Sequence, residues 1–459
     1  MSFGTGVRAA TVIAVAAIAG QAHAAGFAIA EQDGQALGSA FSNAAEAGNA
    51  SVVWYNPALM GFMPGTHLSS GASIILPFMR LDVDNSRSTT NPLLGGAPLT
   101  GGDGGNGGVR AFVPQFYIAT EITGVPNLHL GFGLNAPFGL ATAYDDGWVG
   151  RYKGLTSRLK VINLGPTAAY KVNNWLSVGG GIDVQKLNFN LSNAVDVSST
   201  CLGLLGGGAC NALGGASLTT PQASDAIAQL DMGSWSWGWN AGLAMQFNQG
   251  RTRVSLHYRS PVTHVVSGST KFEQSTPGGV AFAGATGILV DTDITSSHVT
   301  LPESVNVSGF HQFNDQWAGS LDVTWTRWSR IQDLVINFGN PLQPSSLLRL
   351  NYSNTWRVAS SVRYKPNKDW SFRAGFAWDQ SPQGTRDRDV RLPDNDRYWF
   401  TFGQSYKISN ILELSGSYAF IYVKGAPISA TDTAGNTVTG TFHTTIHIIS
   451  AQLVFKFNP

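Results

Sequence analysis

The stretch "DWSFRAGFAWDQ", residues 369–380, decides the fold. Trp370, Phe372, Ala374, Phe376 and Trp378 fall on one side of an extended chain, and Ser371, Arg373, Gly375 and Asp379 on the other. A period of two marks a strand rather than a helix. The apolar side begins and ends with tryptophan. A soluble sandwich also alternates, but it has no reason to put aromatic rings at both ends of its outer face. A strand that crosses a bilayer does, because amphipathic rings settle at the two interfaces.

The pattern repeats outward from there. In "NTWRVASSVRYKP" (354–366), Trp356, Val358, Val362 and Tyr364 oppose Arg357, Ser361, Arg363 and Lys365. In "WAGSLDVTWTRW" (317–328), Trp317, Leu321, Val323 and Trp325 oppose Ser320, Asp322 and Thr324. In "ILELSGSYAFIYV" (411–423), Leu412, Leu414, Tyr418, Phe420 and Tyr422 oppose Glu413, Ser415 and Ser417. Such segments number about fourteen, and bacterial barrels have even strand counts. They start near residues 66, 109, 127, 156, 175, 233, 252, 298, 316, 354, 369, 394, 410 and 442. The fold expected is therefore all-β, a transmembrane β-barrel of antiparallel strands. Short turns ("KVNNW", "NDQW", "KPNKDW", "KISN") belong on the periplasmic side. Long Gly-, Ser- and Thr-rich stretches near 80–108, 193–232, 273–297, 338–353 and 424–441 belong outside. "SDAIAQLD" (224–231) reads as a short helix in one of them.

Composition agrees. Charged residues are 12% of the chain, about half the soluble norm of roughly 25%. Mean hydropathy is −0.01, as expected when lipid-facing and lumen-facing sides average out. A net charge of +1 excludes nucleic acid as a partner and any steering field. Nothing points to a cofactor or a metal site. Arg8, the apolar "AATVIAVAAIAG" (9–20) and Ala22-His23-Ala24 form a secretory signal over residues 1–24. No later stretch is long and apolar enough for a membrane-spanning helix. The location expected is the cell outer membrane, in contact with membrane lipid and lipopolysaccharide, as a monomer.

Cys201 and Cys210 in "CLGLLGGGAC" can close a small loop as a disulfide in an oxidising compartment. A metal pair is the weaker alternative, since no histidine lies near. The end "LVFKFNP" resembles the terminal aromatic that barrel-assembly machinery recognises, with Asn458 and Pro459 in excess. "FVPQFYIA" (112–119) and "KLNFNLSN" (186–193) place apolar groups where alternation would make the inner face polar. Either the lumen is apolar and suits a greasy ligand, or a bulge flips the phase.

Two other functions make demands that the sequence does not meet. An enzyme needs a nucleophile, a base and an orienting group together. His257, His311, His443 and His447 show no motif spacing, and no G-x-S-x-G has a strand-to-helix context. A general porin would have an open aqueous lumen. No energy-coupling segment stands at the N-terminus, so transport would be passive.

Several motifs resemble the FadL family of outer-membrane channels for long-chain fatty acids and other hydrophobic molecules. They are the mature start "AGF" with "NPAL", then "FGLATAYDDGWVGRY" (138–152), "WGWNAGLAMQF" (237–247), "LPESVNVSGFHQFNDQWAGSLDVTWTRWS" (301–329) and "DQSPQGTRDRDVRLPDNDRYWF" (379–400). The resemblance implies a fourteen-stranded barrel over residues 65–459 and an N-terminal plug, or hatch, over 25–64. Ala25, Gly26, Phe27, Asn56, Pro57 and Ala58 would belong to the plug, with Pro57 and Asn56 setting its helical turns. It implies uptake of long-chain fatty acids, or of neutral aromatic or alkane hydrocarbons, without catalysis.

Family members hold a fatty carboxylate with basic side chains. Here the corresponding positions are Asn188 or Asn193, and Val335, so Lys186 is the candidate in their place, with Asn188 and Phe189 beside it. Members also carry an inward kink in the third strand. "GLNAPFG" falls there, and Gly133, Asn135, Ala136, Pro137, Phe138 and Gly139 would form a lateral opening, since Pro137 has no N–H to donate.

Overall fold

The computed structural model describes residues 26–457 of the chain. The signal at residues 1–24, Ala25, Asn458 and Pro459 lie outside the described residues. Fourteen strands form the wall. They are β1 Thr66–Val83, β2 Ala111–Glu121, β3 Leu128–Ala143, β4 Thr156–Lys171, β5 Leu176–Asp196 and β6 Asp225–Phe247. β7 is Thr252–Arg259 continued by Val262–Gln274, and β8 is Thr292–Leu301 continued by Ser304–Gln312. β9 is Trp317–Thr326, β10 Thr355–Tyr364, β11 Trp370–Asp379, β12 Arg397–Lys407, β13 Leu412–Thr431 and β14 Thr437–Phe457. Each pairs antiparallel with its neighbours, and β1 pairs with both β2 and β14, which closes the barrel. A closed wall leaves no free sheet edge, which a lipid environment requires.

Two strands are broken by proline where the sequence reads as continuous. Pro261 interrupts β7 and Pro302 interrupts β8, because neither can donate to a ladder. Beyond β9 the chain turns inward through Trp328–Arg330 and forms a small hairpin of Asp333–Phe338 with Ser346–Arg349.

Three expectations need correction. "SDAIAQLD" is not a helix. It is the outer end of β6, paired with β5 up to Asp196 and Asp225. Its own alternation explains this, for Ala226, Ala228 and Leu230 are buried on one face while Asp225, Ile227, Gln229 and Asp231 take the other. The 424–441 stretch is not an open loop, because β13 and β14 pair out to Thr431 and Thr437. The 193–232 stretch is largely regular. It holds the helices Val197–Gly214 and Ala216–Thr219.

The two faces are as the alternation requires. In β11, Trp370 and Phe376 are exposed on the outer side, while Arg373, Ala377 and Asp379 are buried inside. Trp317 packs on Tyr364 at 4.5 Å and Trp370 on Tyr406 at 4.7 Å, forming an aromatic belt at the short-turn end.

Residues 26–65 lie inside the barrel. A lumen segment cannot pair along a closed wall, so it folds into single turns with local caps. Asp33 Oδ1 accepts from the backbone N–H groups of Gln35 and Ala36 at the start of Gly34–Leu37. Asn56 Oδ1 accepts from the Ala58 N–H, and Pro57 opens the 3-10 turn Pro57–Phe62. Asn56 Nδ2 also donates to the Leu243 and Leu256 carbonyls of β6 and β7. A Cβ at Gly242 would stand 2.0 Å from Asn56 Oδ1, so only glycine admits this contact. Arginines from the wall reach inward to main-chain carbonyls: Arg357 to Ala40, Arg253 to Glu46 and Arg259 to Trp54, each at 2.7 Å.

Candidate functional site

An apolar cavity of about 270 Å³ lies in the lumen toward the long-loop end. That is near the lower end of the roughly 300–1,000 Å³ usual for small-molecule pockets. Leu159 of β4, Phe189 and Leu191 of β5, and Leu334 and Leu348 of the small hairpin contribute to its wall. "KLNFNLSN" therefore gives an apolar inner face, Leu187, Phe189 and Leu191, without a bulge in its pairing to β6.

Phe27 forms part of the floor. It meets Phe138 edge-on at 5.9 Å and Trp328 at 5.0 Å, and Phe138 meets Trp328 at 6.2 Å. Gly26 is clamped below this trio. Its N–H donates to Asp394 and its carbonyl accepts from Arg397. Its φ of +60° and a Cβ position 2.9 Å from the Trp328 ring leave room for glycine alone.

β3 departs from the ladder beside this floor. Ala136 and Pro137 together face the single Ile162 of β4, because pairing jumps from Asn135–Asn163 to Phe138–Val161. On the other side, pairing of β3 with β2 stops at Leu134–Phe116 and the two segments rejoin only at the Thr142–Gly108 bridge. The backbone groups released there are taken by the N-terminal segment. Ile29 N–H donates to the Pro137 carbonyl at 2.8 Å, and Gly139 N–H donates to the Phe27 carbonyl at 2.9 Å. Gln32 grips Ala136 at both ends, its Nε2 donating to the carbonyl and its Oε1 accepting from the N–H. Gly133 faces inward, where a Cβ would meet the Tyr117 ring at 3.0 Å.

The structure separates the three residues singled out on β5. Phe189 lines the cavity, but Lys186 and Asn188 lie on the opposite face. Lys186 pairs across from Trp235, which is 61% exposed, and its Nζ sits 5.6 Å from that ring. Both are directed away from the lumen, so neither can meet a ligand in the cavity. The apolar inner face hid this parity, because both sides of the strand then mix polar and apolar groups. Val335 also points outward, between the buried Leu334 and Ile336.

A cation that sequence reasoning missed stands at the cavity wall. Arg391 comes from the loop between β11 and β12. Its Nη1 contacts Asp389 at 3.3 Å, and its Nη2 donates to Asn193 Oδ1 at 3.4 Å. Its Nε–H is buried with no acceptor among the described residues. Lys153 also reaches Asp389, at 3.4 Å. Burial pushes the Asp389 carboxyl up, but Arg391 and Lys153 outweigh this and hold it below the usual carboxylate range. Two cations thus share one anion. Arg330, also on the wall, is spent on a two-point contact with Glu303. No local motif marks Arg391; only its missing partner does.

Cys201 and Cys210 are joined as a disulfide across the kink at Gly206 that breaks Val197–Gly214 into two helical pieces, and both are buried. The purified protein should show no reactive thiol until a reductant is added. Thiols that titrate without reductant would contradict the bond.

A closed fourteen-stranded barrel with a segment folded in its lumen, an apolar cavity and a break in one wall ladder defines a class of outer-membrane channel. The chain belongs to the family described as "Outer membrane protein transport protein (OMPP1/FadL/TodX)", whose profile matches residues 15–457. It is 30% identical over 451 residues to Outer membrane protein P1 of Haemophilus influenzae, covering 94% of this chain and 93% of that one. It is 28% identical to the Long-chain fatty acid transport protein of Escherichia coli K12, covering 92% and 93%. Among solved structures, a Pseudomonas aeruginosa FadL homologue superposes with a TM-score of 0.85 at 22% identity, over 94% of this chain and 100% of that one. The Pseudomonas putida toluene transporter TodX gives 0.64 at 18% identity, over 90% and 95%. The protein is an outer-membrane β-barrel transporter of hydrophobic compounds.

Proposed function

We propose that the protein takes up long-chain fatty acids by passive diffusion. The chain of the acid lies in the apolar cavity, its carboxylate meets Arg391, and it leaves sideways into the bilayer between β2 and β3. Residues 26–65 act as the plug that denies water a direct path. The observation that carries this reading is the unmatched Arg391 Nε–H on the cavity wall, beside a carboxylate already outnumbered by cations. A neutral hydrocarbon has no use for that donor. The resemblance puts a family basic group at Asn188 or Asn193; Asn193 accepts from Arg391, so the charge is supplied from the loop instead.

Lateral release follows from the same physics. Leaving through a wet pore would expose apolar surface at about 25 cal/mol for each Å². The broken β2–β3 ladder offers a route that avoids water. A second reading, uptake of neutral aromatic or alkane hydrocarbons, is favoured by the aliphatic rest of the wall.

Arg391→Ala decides between them. A charge-assisted hydrogen bond contributes about 1.5–3 kcal/mol, so fatty-acid affinity should fall roughly ten- to a hundredfold. Affinity for the methyl ester should stay within about twofold. Lys186→Ala should change neither. Equal losses for acid and ester in Arg391→Ala would favour the hydrocarbon reading.

A further inference from the structure

A second cavity, of about 200 Å³, lies on the other side of the aromatic trio. Pro137, Phe138 and Trp328 belong to its wall, so it touches the kink of β3 from inside. Ala28, Ile29, Phe41 and Trp54 share the rest of it with polar groups. Arg259, Asp322, Arg357, Asp379 and Arg397 project from five wall strands, and Glu31 enters from the plug. Most of these groups are matched. Arg259 pairs with Asp183 at 2.7 Å and Arg397 with Asp394 at 3.0 Å. Arg357 stands 3.9 Å from Asp379. Asp322 Oδ1 accepts from Asn306 at 2.8 Å and from Thr324 at 3.1 Å, while its Oδ2 has no hydrogen-bond partner among the described residues.

Glu31 is 5% exposed and makes no ion pair among the described residues; its own backbone N–H donates to its carboxyl. A buried carboxylate without a cation at contact is costly, so this site favours the neutral acid. Glu31 also sits where the plug holds the wall. Ile29 donates to Pro137, and Gln32 brackets Ala136.

We propose that Glu31 is a proton donor to the substrate: it protonates a fatty carboxylate that enters this second cavity, and the neutral acid then leaves through the β3 kink. This rests on the fatty-acid reading above. In the transfer the O–H bond of the Glu31 carboxyl breaks and an O–H bond forms on the substrate carboxylate. One negative charge passes to Glu31, which regains a proton from solvent water. The step is needed because a charge is expensive in hydrocarbon, whereas a neutral acid can enter it.

The surroundings of Glu31 support the direction of transfer. Burial pushes its carboxyl up to about 7; Arg397 of β12 and Arg357 of β10 pull it down, and Asp379 of β11 pushes it up. Tyr55 faces it from the plug itself. The donor form is therefore full in acid and drains away as pH rises past neutrality.

The test compares wild type with Glu31→Gln in proteoliposomes, using oleate and oleyl alcohol from pH 6 to 8.5. The ratio of wild-type to variant uptake cancels the titration of oleate itself. For oleate that ratio should fall about tenfold across the range, as the donor form is lost. For oleyl alcohol it should stay at one throughout. Glu31→Asp should restore the pH-dependent ratio, which guards against a folding defect in the glutamine variant. An oleate ratio that is flat with pH would make Glu31 merely structural and overturn the proposal. Alcohol uptake without any oleate uptake by the wild type would overturn the fatty-acid reading, and the proposal with it.

Discussion

Deleting either residue of the Ala136–Pro137 pair should reduce uptake at least tenfold while leaving a folded barrel that still binds ligand. The pair faces Ile162 alone, so β3 carries one residue too many at that point. With one removed, the outer half of β3 returns to one-to-one register with β4. Its other edge can then close on Ala111–Gln115 of β2, which at present pairs only with β1, with the Thr142–Gly108 bridge moving by one residue and Pro114 donating nothing. The gap closes with main-chain hydrogen bonds, and no side chain of the apolar cavity is changed. Initial uptake rates of labelled fatty acid should drop to background. Ligand affinity should stay within about twofold, and thermal stability should be equal or higher. Filling the gap from Gly133 is the poorer test, since a side chain there meets Tyr117 at once. Normal uptake by a folded deletion variant would remove this kink as the exit.

The second large effect is expected at Glu46, in the 3-10 turn Ala44–Glu46 of the plug. Arg363 and Arg373 both contact its carboxylate, and Arg253 donates to its carbonyl. Glu46→Ala leaves two buried guanidinium groups unpaired, a loss of about 3–5 kcal/mol. The wall should still assemble, because its ladders run strand to strand. The plug should not hold. The expected result is ion conductance in planar bilayers, where the wild type is closed, and greater sensitivity of cells to small hydrophilic antibiotics. A closed channel in this variant would show that the latch is dispensable.

The pH behaviour follows from the same contact. Burial alone would raise the Glu46 carboxyl, but Arg363, Arg373 and Lys365 hold it far below its ordinary value of 4.5. A depressed acid contributes stability above its unfolded pKa and loses it only as pH falls through the folded one. Conductance of the wild type should therefore stay flat between about pH 5 and 8, and open only in strong acid.

The barrel was legible because one rule, outer face against inner face, operates in every strand. Trp370, Phe376 and Arg373 obey it without help from any distant residue. The legibility failed where pairing overrode local signals. "SDAIAQLD" has the composition of a helix, yet β5 supplies a partner along its whole length. The interruptions of β7 and β8 came from Pro261 and Pro302, which read as strand ends or as nothing. The kink was visible in Pro137, but its closure was not, since Phe27, Ile29 and Gln32 lie more than a hundred residues away.

The site was less legible than the fold. Lys186 drew attention as a lone cation near the end of an apolar strand, and its parity sends it outside. Arg391 sits in a run of charges, "RDRDVRLPDNDR", where no spacing separates it from Arg386 or Arg388. Its distinction is a donor left without an acceptor, a property that exists only once Asn193, Asp389 and Arg391 meet in space. Glu31 likewise carries no sequence mark. Its meaning comes from the cavity it enters and the β3 kink beside it, which only the fold brings together.

The central claim, that a fatty acid occupies the apolar lumen cavity, is tested most directly by a crystal structure with a terminally brominated long-chain fatty acid. Anomalous density for the bromine should appear among Leu159, Phe189, Leu191 and Leu334, with carboxylate density beside Arg391 Nε. Bromine density confined to the outer barrel surface or the periplasmic mouth, with the cavity empty, would contradict the account.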